Sequence, residues 1–93
     1  MIDVLPGRWR VTTPMRMEHA AALLAAGCRA LQPGEVIVDL ADVADADSSA
    51  IAVMLGWLRA APNSRSTLRF ANIPAGVAAL ADLYGVSELL PRP

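Results

Sequence analysis

The chain has no lysine, one cysteine, one histidine and only four aromatic side chains (two Trp, one Tyr, one Phe) in 93 residues. Each scarcity removes a class of function. With Cys28 alone there is neither an internal disulfide nor a paired-cysteine metal knuckle. With His19 alone, beside Glu18 on a helical turn, a histidine metal site or a Ser-His-Asp relay has no converging partner, and His19 reads as a surface residue. Eight arginines against nine acids leave a net charge of −1, far from the basic stripe that nucleic-acid binding requires. No run approaches the roughly 18 uninterrupted apolar residues of a membrane span, and the opening MIDVLPGRWR meets acid and proline too early for a signal peptide. The expectation is a soluble cytoplasmic protein that does not itself insert into a membrane. The phosphate-cradling GxxxxGK[ST], the dinucleotide GxGxxG and the zinc-binding HExxH patterns are all missing, so no cofactor or metal is expected.

What remains is strongly apolar. Hydrophobic residues make up 55% of the chain and charged ones 18%, enough for a single core without staples in one domain spanning residues 1–93. So little charge also raises the possibility that a partner covers some apolar surface.

The patterning is that of an α/β domain. Residues 2–5 and 8–13 are short β-like runs around Pro6-Gly7 and predict an N-terminal hairpin, with Trp9 and Val11 alternating against Arg8, Arg10 and Thr12. Thr13-Pro14 reads as the cap and first position of a helix whose apolar stripe is Met17, Ala20, Leu24, Cys28 and Leu31, ended by Gln32-Pro33-Gly34. On that stripe Cys28 is expected to be a small core filler. EVIVDL (35–40) is nearly continuous in apolar residues, as in a central strand covered on both faces. IAVMLGWLRAA follows as a second helix with Ile51, Met54, Leu55 and Leu58 on its inner stripe, then TLRFA (67–71) as a strand with Leu68 and Phe70 inward. Pro74 opens a third helix bearing Val77, Leu80, Ala81 and Tyr84, capped by Gly85, and Ser87 starts a last turn before Pro91. The predicted order is β-β-α-β-α-β-α, a small mixed sheet with three to four helices.

Two features of the middle segment bear on function. Glu35, Asp39, Asp42, Asp45 and Asp47 fall within 13 residues, but without EF-hand periodicity they read as solvated, turn-forming acids rather than a cation site. Asp47-Ser48-Ser49 then meets the start of the second helix, where free amides and the dipole favour an acceptor or a phosphate; capping alone explains the same residues. At about 100° per residue, Ser49, Val53, Gly56, Trp57 and Ala60 fall opposite the inner stripe. A helix apolar on both sides is either buried on both or presents a docking surface. In the second case Trp57 is the anchor, Gly56 allows close approach, and Ser48 and Ser49 sit at the rim. In the first, Trp57 packs against the first helix or the hairpin.

The strand VIVDLADV, then DSSAIAVML, the strand TLRFANI and the helix GVAALADLYGV resemble the STAS domain, shared by sulfate transporters and bacterial anti-sigma factor antagonists, over roughly residues 8–91. In the antagonists a partner kinase, itself the anti-sigma factor, phosphorylates a serine of this motif. The matching position is Ser49, followed by Ala50 where the family usually has glycine. LADLYGVSELLP is more similar to one subgroup, the MlaB-like STAS subunits of the Mla phospholipid ABC transporter that maintains outer-membrane lipid asymmetry. There a hydroxyl residue matching Ser48 lies at the contact with the cytoplasmic, MlaF-like ATPase. The resemblance thus implies a non-catalytic subunit that binds this ATPase through the helix beginning at Ser48, peripheral to the inner membrane through its complex; joined to the helical-face reading, the expected contact residues are Asp47, Ser48, Ser49, Val53, Gly56 and Trp57. The alternative it implies is an antagonist switched by phosphorylation of Ser49 or, less directly, Ser48.

Overall fold

The computed structural model describes residues 1–93. Strands β1 (Ile2–Leu5) and β2 (Arg8–Val11) form the hairpin, followed by α1 (Met17–Ala30), β3 (Gly34–Asp39), α2 (Ser49–Ala60), β4 (Ser66–Ala71) and α3 (Ala75–Leu83). Single 3-10 turns occupy Ala61–Ser64 and Ser87–Leu89. The sheet order is β1-β2-β3-β4, antiparallel in the hairpin and parallel between β2, β3 and β4. The β-β-α-β-α-β-α reading therefore holds, with a mixed sheet and three α-helices.

The hairpin follows from its turn: Pro6 presets one central position, and Gly7, at φ 69°, takes the left-handed conformation at the next. Parallel pairing then needs crossovers, which α1 and α2 supply. All the buried strand residues point one way. Trp9 and Val11 of β2, Val36 and Val38 of β3, and Leu68 and Phe70 of β4 join one core with Leu23 of α1, Ala50, Ile51, Val53, Met54 and Trp57 of α2, and Val77 and Ala81 of α3. The domain thus has two layers, one of helices and one of sheet.

The open sheet face is polar. It carries the ion pairs Arg8–Asp39 (2.7 Å) and Arg69–Glu35 (3.4 Å), with Arg10–Asp42 (2.8 Å) reaching the loop after β3. This corrects the expectation that β3 is covered on both faces. Its apolar run owes its continuity to Ile37, half-buried on the open side among those charges.

Helix α1 differs from expectation in start and face. Met15 makes a parallel bridge with Ala46, its amide donating to the Asp45 carbonyl at 2.9 Å, so residues 14–16 lie extended and the helix begins at Met17 rather than Pro14. The buried positions are Leu23 and Gly27, while Met17 is 75% exposed and Cys28 is exposed. Cys28 is therefore not a core filler: the stripe drawn through it is rotated by about one residue from the true one. In α3, likewise, Val77 and Ala81 are buried but Tyr84 is 55% exposed.

Candidate functional site at the start of helix α2

Because β2, β3 and β4 run parallel, their C-terminal ends share one end of the sheet, where open α/β folds place ligands and partners. There the loop after β3 is stitched to the segment before α1. The Met15 carbonyl accepts from the Asp47 amide at 3.1 Å, next to the Met15–Asp45 bond. Asp47 then joins two helix starts with one carboxylate: Oδ2 accepts from the Met17 amide (3.1 Å) at the first residue of α1, and Oδ1 from the Ser49 amide (2.8 Å) at the first residue of α2. Each helix gains an acceptor for an otherwise unpaired N–H, and each dipole's positive end faces an anion. These bonds, from Met17 first and Ser49 second, hold the Asp47 carboxyl below its ordinary range.

The capping assignment is therefore resolved in favour of Asp47. Ser48 occupies the cap position of α2 but makes no side-chain cap bond, and it is exposed. Ser49 is half-buried. An exposed hydroxyl with no internal partner is free to meet a partner protein or a modifying group.

The expected outward apolar face of α2 is not present. Trp57 and Val53 are buried, at 0% and 3% exposure, and half-buried Gly56 faces Leu24 of α1. The Trp57 indole N–H reaches the carbonyls of Leu23 (3.2 Å) and Leu24 (3.3 Å), and its ring stands edge-on to Trp9 at 5.6 Å between centroids. Trp57 thus fills the space between α1, α2 and the sheet and cannot anchor a partner. The cause is glycine: Gly27 lies directly against the indole, and a Cβ there would collide with Nε1. Of the residues placed at the site, the fold gathers Asp47, Ser48 and Ser49 at one end and withdraws Val53, Gly56 and Trp57 into the α1–α2 packing.

What α2 does present is a stripe that sequence reasoning missed. Ser48, Ala52 and Arg59 are exposed and Leu55 half-buried, at spacings of four, three and four residues. Exposed Met17 adjoins the stripe's first turn through the Asp47 bond. Arg16, paired with Asp45 at 3.2 Å and Glu18 at 3.4 Å, lies on the other side. The signal available in the sequence was the pair of mid-helix glycines, Gly27 and Gly56, which mark a close helix crossing. The main surface cavity, about 300 Å³, is at the opposite end, between the Pro6–Gly7 turn and the segment after α1. Only Gln32 and Glu35 bring polar side chains to it, and it shares no residue with this site.

A two-layer domain with a hydroxyl-bearing helix start at the C-terminal end of parallel strands defines a class of small interaction domains. The family model described as "Mlab, STAS domain" matches residues 6–91, and the chain belongs to this family. Two solved structures share the fold. One, from Thermotoga maritima, is described as an anti-sigma factor antagonist: TM-score 0.74, 12% identity, 99% of this chain and 83% of that chain covered. The other, from Planctomyces limnophilus, is described as an anti-sigma-factor antagonist (STAS) domain protein: TM-score 0.71, 18% identity, 99% and 86% covered. No curated protein matches the chain.

Proposed function

We propose that this protein is a non-catalytic assembly and regulatory subunit that binds the cytoplasmic ATPase of an Mla-type phospholipid ABC transporter. The observation that carries this reading is the exposed, internally unpartnered hydroxyl of Ser48 at the start of α2, in a chain whose family is of the MlaB type. Docking uses the outward stripe Ser48, Ala52, Leu55 and Arg59, while Asp47 holds the start of the stripe in position from behind. The stripe carries a single charge, Arg59 at its far end, and otherwise only short or apolar side chains, so a partner can approach the first two turns of the helix closely while Arg59 is left to pair with an acid of the partner. No helix is long and apolar enough to cross a membrane; in this reading the subunit meets the inner membrane only through its complex.

An anti-sigma factor antagonist switched by phosphorylation of Ser49 is the competing reading: the two structural neighbours are described as antagonists, and the sequence resemblance puts the modified serine at Ser49. Its position counts against it: half-buried Ser49 lies over the Asp47 carboxylate, which would repel a phosphate, whereas Ser48 faces solvent.

Co-expression with the Mla-type ATPase of the same organism tests both mechanisms. The wild-type chain is expected to co-purify with it, Ser48→Arg to lose at least about tenfold in affinity with an unchanged circular dichroism spectrum, and Ser49→Ala to bind normally. A wild-type chain that fails to co-purify overturns the transporter reading. Binding abolished by Ser49→Asp but kept by Ser48→Arg transfers the case to the phosphorylation switch.

A further inference from the structure

The chain treats the two edges of its sheet differently. Along β4 the C-terminal segment returns beside the strand: the Phe70 amide donates to the Pro91 carbonyl at 2.8 Å, and Leu90 is buried. Along β1 no segment of residues 1–93 does the same. The Thr12 amide donates to the Met1 carbonyl at 3.0 Å, which fixes the phase of the hairpin ladder. Met1, Asp3 and Leu5 face β2, and the backbone N–H and C=O groups of Ile2 and Val4 point away from it. Met1, Val4 and Leu5 are also 44%, 51% and 48% exposed. An edge that displays free backbone groups beside apolar side chains, with no lysine, proline or bulge within the strand, is a template for another strand.

We infer that β1 is a homodimer interface, pairing antiparallel with β1 of a second copy about a two-fold axis through Val4, to give a continuous eight-stranded sheet. The occupant and register follow from the strand's own chemistry. Only registers that bring the free groups of Ile2 and Val4 opposite one another's equivalents form hydrogen bonds. Pairing Val4 with the partner's Ile2 sets Asp3 directly opposite the partner's Asp3, where like charges repel. Pairing Ile2 with the partner's Ile2 centres the axis at the first residue of the strand, so that Val4 and Leu5 meet no residue of the partner's β1. Pairing Val4 with the partner's Val4 joins the two valines by a pair of backbone hydrogen bonds and buries their side chains against each other. It sets Ile2 opposite the partner's Pro6, which has a carbonyl but no N–H to offer, and places Asp3 opposite the partner's Leu5. Next in that row stands the partner's Arg8, which pairs with Leu5 in its own hairpin, so no like charges oppose. Such an interface is isologous and closes at two copies, and no open-ended stacking follows. Helix α1 packs over β1. The dimer edge and the start of α2 are separate surfaces, so both can be occupied at once.

Sedimentation equilibrium on the full chain tests this. The apparent mass is expected to rise reversibly from 9.8 kDa toward twice that value with concentration. Val4→Pro removes one outward-facing N–H, leaves the β1–β2 ladder its bonds, and is expected to weaken dimerisation by more than about tenfold with unchanged circular dichroism. A wild-type chain that stays monomeric throughout, or a Val4→Pro chain that dimerises as well as wild type, overturns the inference. In a Cys28→Ser background, oxidation is expected to cross-link Val4→Cys and not Asp3→Cys; the reverse overturns the Val4-centred register.

Discussion

Asp47 is the residue on which the candidate site depends, though it does not have to touch a partner. Its two oxygens hold the first amides of α1 and α2, so one side chain, together with the Met15 backbone bonds to Asp45 and Asp47, sets the position of Ser48 relative to Met17. Asp47→Ala removes an acceptor from both helix starts at once, and Asp47→Asn keeps the shape but leaves one of the two amides facing an NH₂ group. Both variants are expected to melt below wild type, alanine the lower. Amide hydrogen exchange locates the effect: the Met17 and Ser49 amides are expected to exchange faster in Asp47→Ala, while the β3 amides keep their protection. If only Ser49 loses protection, the carboxylate caps one helix and the coupling of the two is wrong.

At the scale of elements, the positions of the strands were legible in the sequence, whereas the open face of β3 and the faces of the helices were not. Trp9 and Val11, then Leu68 and Phe70, alternate as buried residues because the sheet has one covered face and a period of two. Residues 75–83 were legible for a comparable reason, since Pro74 and Gly85, at φ 71°, bracket them as start and stop signals. The faces of α2 failed because that helix packs on two neighbours. Ile51 and Met54 lie in the common core while Trp57 and Gly56 meet Gly27 and Leu24 of α1, and a single-stripe projection turns the second buried side into an apparent outer face. Likewise the stripe through Met17 and Cys28 missed Gly27, which has no side chain to count as apolar yet determines where the indole fits. The start of the site, Asp47 to Ser49, was legible because capping residues are few and positional. The crossing itself makes a testable contrast. Gly27→Ala drives a methyl group into the rigid indole of Trp57, whereas Gly56→Ala meets the Cδ1 atom of Leu24 at 2.6 Å, the end of a side chain that can change rotamer. Urea denaturation is expected to show Gly27→Ala costing about 2–3 kcal/mol or more and Gly56→Ala about 1 kcal/mol. Equal costs would mean that the helices adjust by sliding, not by side-chain rearrangement.

Over the whole molecule, the polar sheet face fastens together segments distant in sequence, with Asp39 at their meeting point. Its Oδ1 accepts from the Asn72 amide group (3.0 Å) beyond β4 and from the Ala41 N–H (2.9 Å), and its Oδ2 from Arg8 (2.7 Å) on β2. Asn72 reaches it from a left-handed conformation, φ 56°, which asparagine tolerates better than most residues. The Asn72 bond chiefly, then the Ala41 amide and Arg8, hold the Asp39 carboxyl down at about 2 from an ordinary 3.8, against the opposing pull of partial burial. A depressed carboxylate pKa means that the unfolded chain takes up the proton first. The contribution to stability is therefore complete above about pH 4 and is lost as the pH falls toward about 2. Asp39→Asn imitates the protonated form at every pH. The stability gap between wild type and Asp39→Asn, measured by urea denaturation, is expected to be constant from pH 7 to about 5, to narrow below about 4 and to nearly close at about 2. A gap that does not change across this range would mean that Asp39 holds β2 to the turn after β4 by shape and neutral hydrogen bonding, with its charge contributing nothing.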